Sequence, residues 1–578
     1  MKNIILPQEL VRYLGVWFDR KLSFKAHVQK RIAAANRMFH SISRLANTEK
    51  GLSFQAFRKL YIACITSVAD YGVPVWWKNQ QFLLDKFEKL QNSALRKILG
   101  AFRTSPIAAM EIEAGIAPVS IRFEKLCKNY ALRILQMQSS HPVKQRVPFN
   151  SPFSSENNGI NLANIDNYQL ANWNQDIACS ESETEPEFHS QRTRKTRRKK
   201  KRKKKKFTSQ IFKICSHLKE QLSSSLDCEI EQFDSNWAFP WQKSAIKTEI
   251  CSDDKNTAAS KHRNKILAIQ QNHEENIIIY SDGSKLSEIQ AGAGSYISYS
   301  IDKQQSYYWH LNATLEAYDI ELFAILKSLQ QAKQNINSSI KNIWIFSDNQ
   351  AAIHRICKNS KSSGQEISYK IQLEAESLFF QNIQLHICWV PGHVGIYGNE
   401  QADKAAKIAA AADYNYDVID CSNEIGISLT YLKRKAKESL LKSWQNHYNL
   451  TAVKKGAYYQ NLHTQPAWKP LNLQLKATRI VWSSYMQLKL GHGYFKSYLK
   501  RLPDYDSDKC DCNNTSIQSP AHLLLSCSKY AAQYSKIKDK LRASNLSLKL
   551  LLTTRDGIQA VFDFLKDSEI VRRNWISN

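Results

Sequence analysis

Four acidic residues in the middle of the chain stand where they could do chemistry together: Asp282, Glu321, Asp348 and Asp403. Asp282 follows the apolar run Ile-Ile-Ile-Tyr-Ser, Asp348 follows Ile-Trp-Ile-Phe-Ser, and Asp403 comes ten residues after His393 in a Gly-rich segment. Strand ends meet at a common sheet edge, so Asp282 and Asp348 come within a few ångström of each other if their strands pair. Carboxylates that close repel, and a shared divalent cation is the usual remedy. Oxygen-only donors favour Mg²⁺, or Mn²⁺. Two such ions suit the in-line hydrolysis of a phosphodiester. The ordinary alternative is four unrelated surface acids.

Two further groups have chemical potential. Cys510, Cys512, His522 and Cys527 offer three thiolates and one imidazole, enough to close a tetrahedral Zn²⁺ site. The competing reading is free cysteines with His522 capping a helix. Residues 192–206 carry 13 basic side chains, among them Arg197, Arg198, Lys199 and Lys200, interrupted only by two threonines. Such a run attracts any polyanion without reading sequence, or is simply a solvated charge block.

The elements needed to position the four acids are legible as an ordered series. Apolar runs at 277–281, 295–299, 307–311, 343–347 and 383–390 read as five strands. Helical spacing appears over 317–332, 349–357, 367–380 and 399–412. Three strands in a row followed by alternating helices and strands predict an α/β fold with one mixed sheet covered by helices.

The flanks differ. Apolar residues at Phe24, Val28, Ile32, Ala35, Phe39 and Ile42 mark a helix, with others expected at 53–67 and 82–99. The expected domains are a helical region over 1–140, a mostly disordered linker over 141–270, an α/β domain over 271–412, and a helical C-terminal region over 413–578. The linker assignment rests on Asn, Ser, Pro and Glu content around the basic run.

Composition narrows the function classes. The 578 residues carry 81 Lys and Arg against 52 Asp and Glu, a net charge of +29 that stays at +16 without the basic run, pointing to nucleic acid. Twelve scattered cysteines fit a reducing compartment. No apolar run reaches the ~18 residues of a membrane span and no signal-peptide pattern opens the chain. The expectation is a nuclear or cytoplasmic protein with no membrane and no small-molecule cofactor.

Tyr-Ser-Asp-Gly-Ser, Ile-Glu-Leu-Phe-Ala-Ile, Phe-Ser-Asp-Asn-Gln-Ala-Ala and Trp-Val-Pro-Gly-His followed by Gly-Asn-Glu-Gln-Ala-Asp together resemble, in order and spacing, the motifs of the type I ribonuclease H domain. That resemblance implies a five-stranded ribonuclease H-like sheet, with Asp282, Glu321, Asp348 and Asp403 holding two Mg²⁺ ions to cut the RNA strand of an RNA/DNA hybrid. It also gives His393 a part in proton movement or product release. Asn349 and Gln350 stand close enough to a ligand aspartate to read the 2′-hydroxyl, although Asn349 equally suits a helix N-cap. The segment 358–365 departs from the basic, Trp-rich handle of some members, so hybrid affinity has to come from elsewhere.

Tyr13 to Asp19, Tyr71 to Trp76 and Leu90 to Gly100 are similar to the region after the palm in LINE-type (non-LTR) retrotransposon reverse transcriptases, and the cysteine-histidine tail resembles a segment of the same elements. The chain's only adjacent aspartates, Asp253-Asp254, sit in polar sequence. The expectation is therefore a palm-less, truncated copy that retains the hybrid nuclease. The alternative is a catalytically silent remnant that binds nucleic acid.

Overall fold

The structure is a computed structural model. It describes residues 8–145, 211–215, 230–232 and 244–575, except 48, 139, 212, 288–289, 359–361, 414, 453–455, 471–473 and 574. The basic run at 192–206, including Arg197, Arg198, Lys199 and Lys200, lies outside the described residues.

The N-terminal region opens on an antiparallel hairpin, β1 (Leu10–Tyr13) and β2 (Val16–Asp19). Helix α1 (Lys25–Ser43) buries Val28, Ile32, Ala35 and Phe39, the stripe that its spacing predicts. Helix α2 (Gln81–Leu99) stops at Gly100, whose φ of 68° lets the chain turn away. Two shorter-range helices follow, α3 (Ile107–Ala114) and α4 (Val119–Leu135).

The central domain is one mixed sheet of seven strands, in the order β3 (Ile246–Glu249), β8 (Gln384–Trp389), β7 (Asn342–Ser347), β4 (Asn276–Lys285), β5 (Ala291–Ser298), β6 (Gln304–Leu311) and β9 (Val418–Asp420). The five expected strands are its centre. β4, β5 and β6 form the antiparallel meander, while β7 and β8 join in parallel. The count of five is corrected by two edge strands, β3 parallel to β8 and β9 parallel to β6. With four and three residues, they are too short to show a period.

Alternation along β4 decides what covers each face. Ile277 and Ile279 belong to the core shared with α6 (Ala317–Lys333) and α8 (Gln365–Phe380). Ile278 and Tyr280 point the other way, into a cluster with α5 (Lys255–Gln270) and α9 (Tyr397–Ala411). The buried face of α9 includes Ala402, Ala405, Ala406 and Ala409, and a Cβ on Gly294 of β5 would lie 2.2 Å from the Ala406 nitrogen. Small residues on both sides let helix and strand backbones approach.

Helix α5 corrects the expectation that residues up to 270 are linker. Asp254 caps it, accepting from the Asn256 and Thr257 nitrogens at 3.0 and 3.1 Å. Only Ala258, Ala259, His262 and Ile269 are buried, so its sequence reads as polar although it is docked. The Asp253-Asp254 pair thus works as a cap and an ion pair, Asp253 meeting Lys261 at 2.6 Å.

The C-terminal region is helical, with α10 (Leu429–Ala452), α11 (Arg479–Leu490) and α12 (Arg555–Ser568). These helices share one apolar core with α1, α2, α3 and α4, so the two helical regions read as separate units are a single packed body. Arg479 donates to the carbonyls of Ile98 and Lys97 at 2.6 Å, and Lys489 meets Glu113 at 2.7 Å with both side chains almost fully buried. Periodicity shows which face of a helix is apolar and not what covers it. Among the described residues, no helix is long and apolar enough to cross a membrane.

Candidate active site

The parallel pairing of β4 and β7 sets Tyr280 opposite Phe346. Two residues further on, in the same register, stand Asp282 and Asp348. Helix α6 adds Glu321, and the carboxylates of Asp282, Glu321 and Asp348 offer oxygens that all lie within 4.8 Å of one another. Asp403, seven residues into α9, completes the acidic surroundings, with its Oδ2 held by the Lys407 ammonium at 2.6 Å. The structure therefore gathers three of the four acids tightly and leaves the fourth tethered beside them.

The electrostatics follow from crowding in a buried place. Burial, and then the charges of Asp348 and Asp403, push the Asp282 carboxyl up to about 7. Glu321 is raised well above the ordinary glutamate range by burial and by Asp282 and Asp348. Asp348 is raised chiefly by burial; His393 and Lys255 pull it down, and Asp403 pushes it up. One Glu321 oxygen, Oε2, is buried with no hydrogen-bond partner. A buried acceptor without a donor is costly. A hard cation among these oxygens would satisfy it, so the donor set fits Mg²⁺ or Mn²⁺.

Several neighbours hold the acids in place. The Gly283 nitrogen donates to Asp282 Oδ1 at 2.8 Å, and the Trp389 indole donates to the Asp348 carbonyl at 2.9 Å. A Cβ on Gly392 would come within 2.3 Å of Asp348 Oδ2, so that position has no room for a side chain. His393 is exposed on the next residue with a left-handed φ of 60°. Asn349 caps α7 (Gln350–Ile356), its side-chain oxygen accepting from the Ala352 nitrogen at 3.1 Å. Gln350 is exposed at the start of that helix. Sequence reasoning missed Trp389, Gly392 and Lys407 as supports, because each is recognisable only once the sheet places it.

With that geometry in place, the comparisons bear on family. The family model for RNase H matches residues 274–411. A ribonuclease H of Francisella philomiragia is 30% identical over 151 residues, a match covering 24% of this chain and 93% of that protein. The chain belongs to the ribonuclease H family. It is also similar to the probable RNA-directed DNA polymerase from transposon BS of Drosophila melanogaster, 25% identical over 99 residues, 17% of this chain and 11% of that protein. The Pol polyprotein of the type-1 retrotransposable element R1 4 of Nasonia vitripennis is 28% identical over 132 residues, 23% of this chain and 33% of that protein. This chain spans a third or less of the length of these two retrotransposon proteins.

The Cys/His group is the second cluster. Cys510, Cys512, His522 and Cys527 each present a ligand atom within 4.8 Å of the others. Cys510 and Cys527 sulfurs are 3.7 Å apart, and Cys512 Sγ is 3.3 Å from His522 Nε2. The Cys510 nitrogen donates to the Ser516 carbonyl at 2.8 Å, closing a tight loop around the first two cysteines. His522 does not cap its helix: Ser519 does, accepting from the His522 nitrogen at 3.2 Å.

Proposed function

We propose that this protein hydrolyses the RNA strand of RNA/DNA hybrids, and the observation that carries the reading is the convergence of Asp282, Glu321 and Asp348 around a buried, unpartnered carboxylate oxygen. Asp282, Glu321, Asp348 and Asp403 would hold two Mg²⁺ ions, which when bound supply electrostatic stabilisation to the phosphodiester being cut. The chain's own residues do the rest. Gly283 holds the Asp282 carboxylate and Trp389 holds the backbone that carries Asp348, so the site is organised before substrate arrives. His393, exposed on its turn beside Asp348, exchanges a proton at the leaving oxygen. Gln350, exposed at the start of α7, reads the 2′-hydroxyl that distinguishes RNA, while the Asn349 oxygen is committed to its cap.

The Cys/His cluster has the soft donor set of structural zinc, three sulfurs and one imidazole, and we assign it one Zn²⁺ with a folding role. The run 192–206 adds phosphate affinity without sequence preference.

The direct test uses the full chain with a labelled RNA/DNA hybrid, duplex DNA and Mg²⁺. The hybrid should be cut in its RNA strand and the duplex left intact. Asp348→Asn keeps the shape of the side chain and removes its charge, so its rate should fall by about 10²-fold or more. Equal cleavage by the variant would overturn the reading.

A further inference from the structure

Helix α5 lies outside the matched residues 274–411, yet it is docked on the same sheet face that leads to the acids. Its course can be followed from ring contacts. The His262 imidazole sits 4.6 Å from the Phe346 ring, and the Lys265 ammonium lies 4.9 Å over the Trp344 ring. Moving forward along α5 therefore means moving backward along β7, so the helix runs antiparallel to the strand. Its N-terminus points toward the strand end that carries Asp348.

The distances agree with that course. From His262 back to Lys255 is seven residues, roughly 10 Å of helix. From Phe346 on to Asp348 is two residues, roughly 7 Å of strand. Lys255, the first residue of α5, is thus carried just past Asp348 and is exposed. Its charge reaches the Asp348 carboxyl, as does that of His393. Ala259, one turn along, belongs to the same apolar cluster as Val390 and Ile396, which flank the His393 turn. The helix is anchored by the hydrogen bond between His262 Nε2 and the Tyr280 hydroxyl at 2.9 Å, two residues before Asp282.

A cation at the rim of an acidic centre has no carboxylate to neutralise once metal ions are bound there. Its useful partner is then the polyanionic substrate. The segment 358–365 is only moderately basic, so a phosphate contact from another element has a use. We propose that Lys255 is a substrate-binding residue whose ammonium grips a backbone phosphate beside the one that is cut, making α5 part of the substrate-binding surface. The inference rests on the hybrid-nuclease reading given above.

The experiment uses the full chain in two forms. In an Asp348→Asn background, where cleavage is slowed about 10²-fold or more, affinity for the hybrid is measured against salt concentration before it is cut. Lys255→Ala should weaken binding by about 5- to 10-fold and reduce the slope of log affinity against log salt by about one, the signature of one lost phosphate contact. Lys255→Arg should restore the slope. Lys341→Ala, which breaks the ion pair with Glu275 at the opposite end of the sheet, should leave it unchanged. In the cleaving chain, Lys255→Ala should raise KM by a similar factor and change kcat less. An unchanged slope and KM, or an equal loss in Lys341→Ala, would overturn the proposal. A chain that binds with a Lys255-dependent slope but never cuts would sink the nuclease reading and keep the contact; a chain that cuts with a slope indifferent to Lys255 would do the reverse.

Discussion

The acidic centre and the Cys/His cluster each gather a donor set that could hold a cation, and they are assembled in opposite ways. Asp282, Glu321 and Asp348 come from a strand, a helix and the end of a second strand spread over 67 residues, and the hydrogen-bonded register of β4 and β7 brings them together. The four Cys/His ligands come from 18 consecutive residues of loop and short helix. The first site is paid for by the fold around it: the sheet forces carboxylates into mutual repulsion and holds them there. The second is anchored at its two ends, where Cys510, Leu523, Leu524 and Cys527 are buried in the core of the helical body, and a metal would organise the polar loop between them. The lesson is that the acidic centre should lose activity without losing structure, and the Cys/His segment should lose structure first.

Zinc removal therefore gives the largest structural effect. Burial pushes the Cys527 thiol up to about 12, so deprotonation there calls for a bound cation. Structural zinc sites contribute on the order of 10 kcal/mol to the fold of their own segment. We expect about one zinc per full chain by metal analysis. Cys527→Ser should lose it and open the amide protons of residues 508–530 to rapid exchange, leaving those of β4 and β7 protected. Zinc-free protein with unchanged exchange would return the cluster to ordinary buried thiols.

The acidic centre should respond to pH and metal instead. Because Asp282 is raised to about 7 in the folded chain, the folded state keeps a proton that the unfolded chain loses near 4. Unfolding between those values releases protons, so metal-free stability is full below about pH 4 and declines as pH rises to about 7. The loss attributable to this carboxyl is on the order of 4 kcal/mol. Asp282→Asn should flatten that part of the profile, and saturating Mg²⁺ should oppose it by binding the folded state alone. Urea unfolding in chelator at pH 5 and pH 8, with and without the substitution, reads the difference; parallel profiles for the two proteins would refute it.

The residues of both sites are legible in the sequence, and their supports are not. The acids could be named because each follows or starts an element with a strong period, and their motifs carry a family pattern. The tether of Asp403 to Lys407 was not visible, since a salt bridge one helical turn apart is common and says nothing of which acid stands apart from a cluster. Helix α5 was lost because its docking needs only four buried side chains, and β3 and β9 were too short to register. The joint core of the two helical regions was unreadable for a different reason: Arg479 and Ile98 are 381 residues apart, and no local pattern encodes that partnership.

The smallest expected effect separates capping from recognition beside the acidic centre. Asn349 follows a ligand aspartate, and its side-chain oxygen accepts from the Ala352 nitrogen at 3.1 Å, one of the donors that the first turn of α7 leaves open. Removing an N-cap costs about 1 kcal/mol. α7 is only seven residues long, so that loss falls on a helix with few internal hydrogen bonds of its own. Asn349→Ala should therefore lower stability by about 1 kcal/mol, whereas Asn349→Asp, which preserves the acceptor, should cost less. If capping is the whole role, both variants should keep the preference for hybrid over duplex DNA. A loss of that preference in Asn349→Ala and Asn349→Asp alike, with stability unmoved, would instead assign the amide group to the substrate.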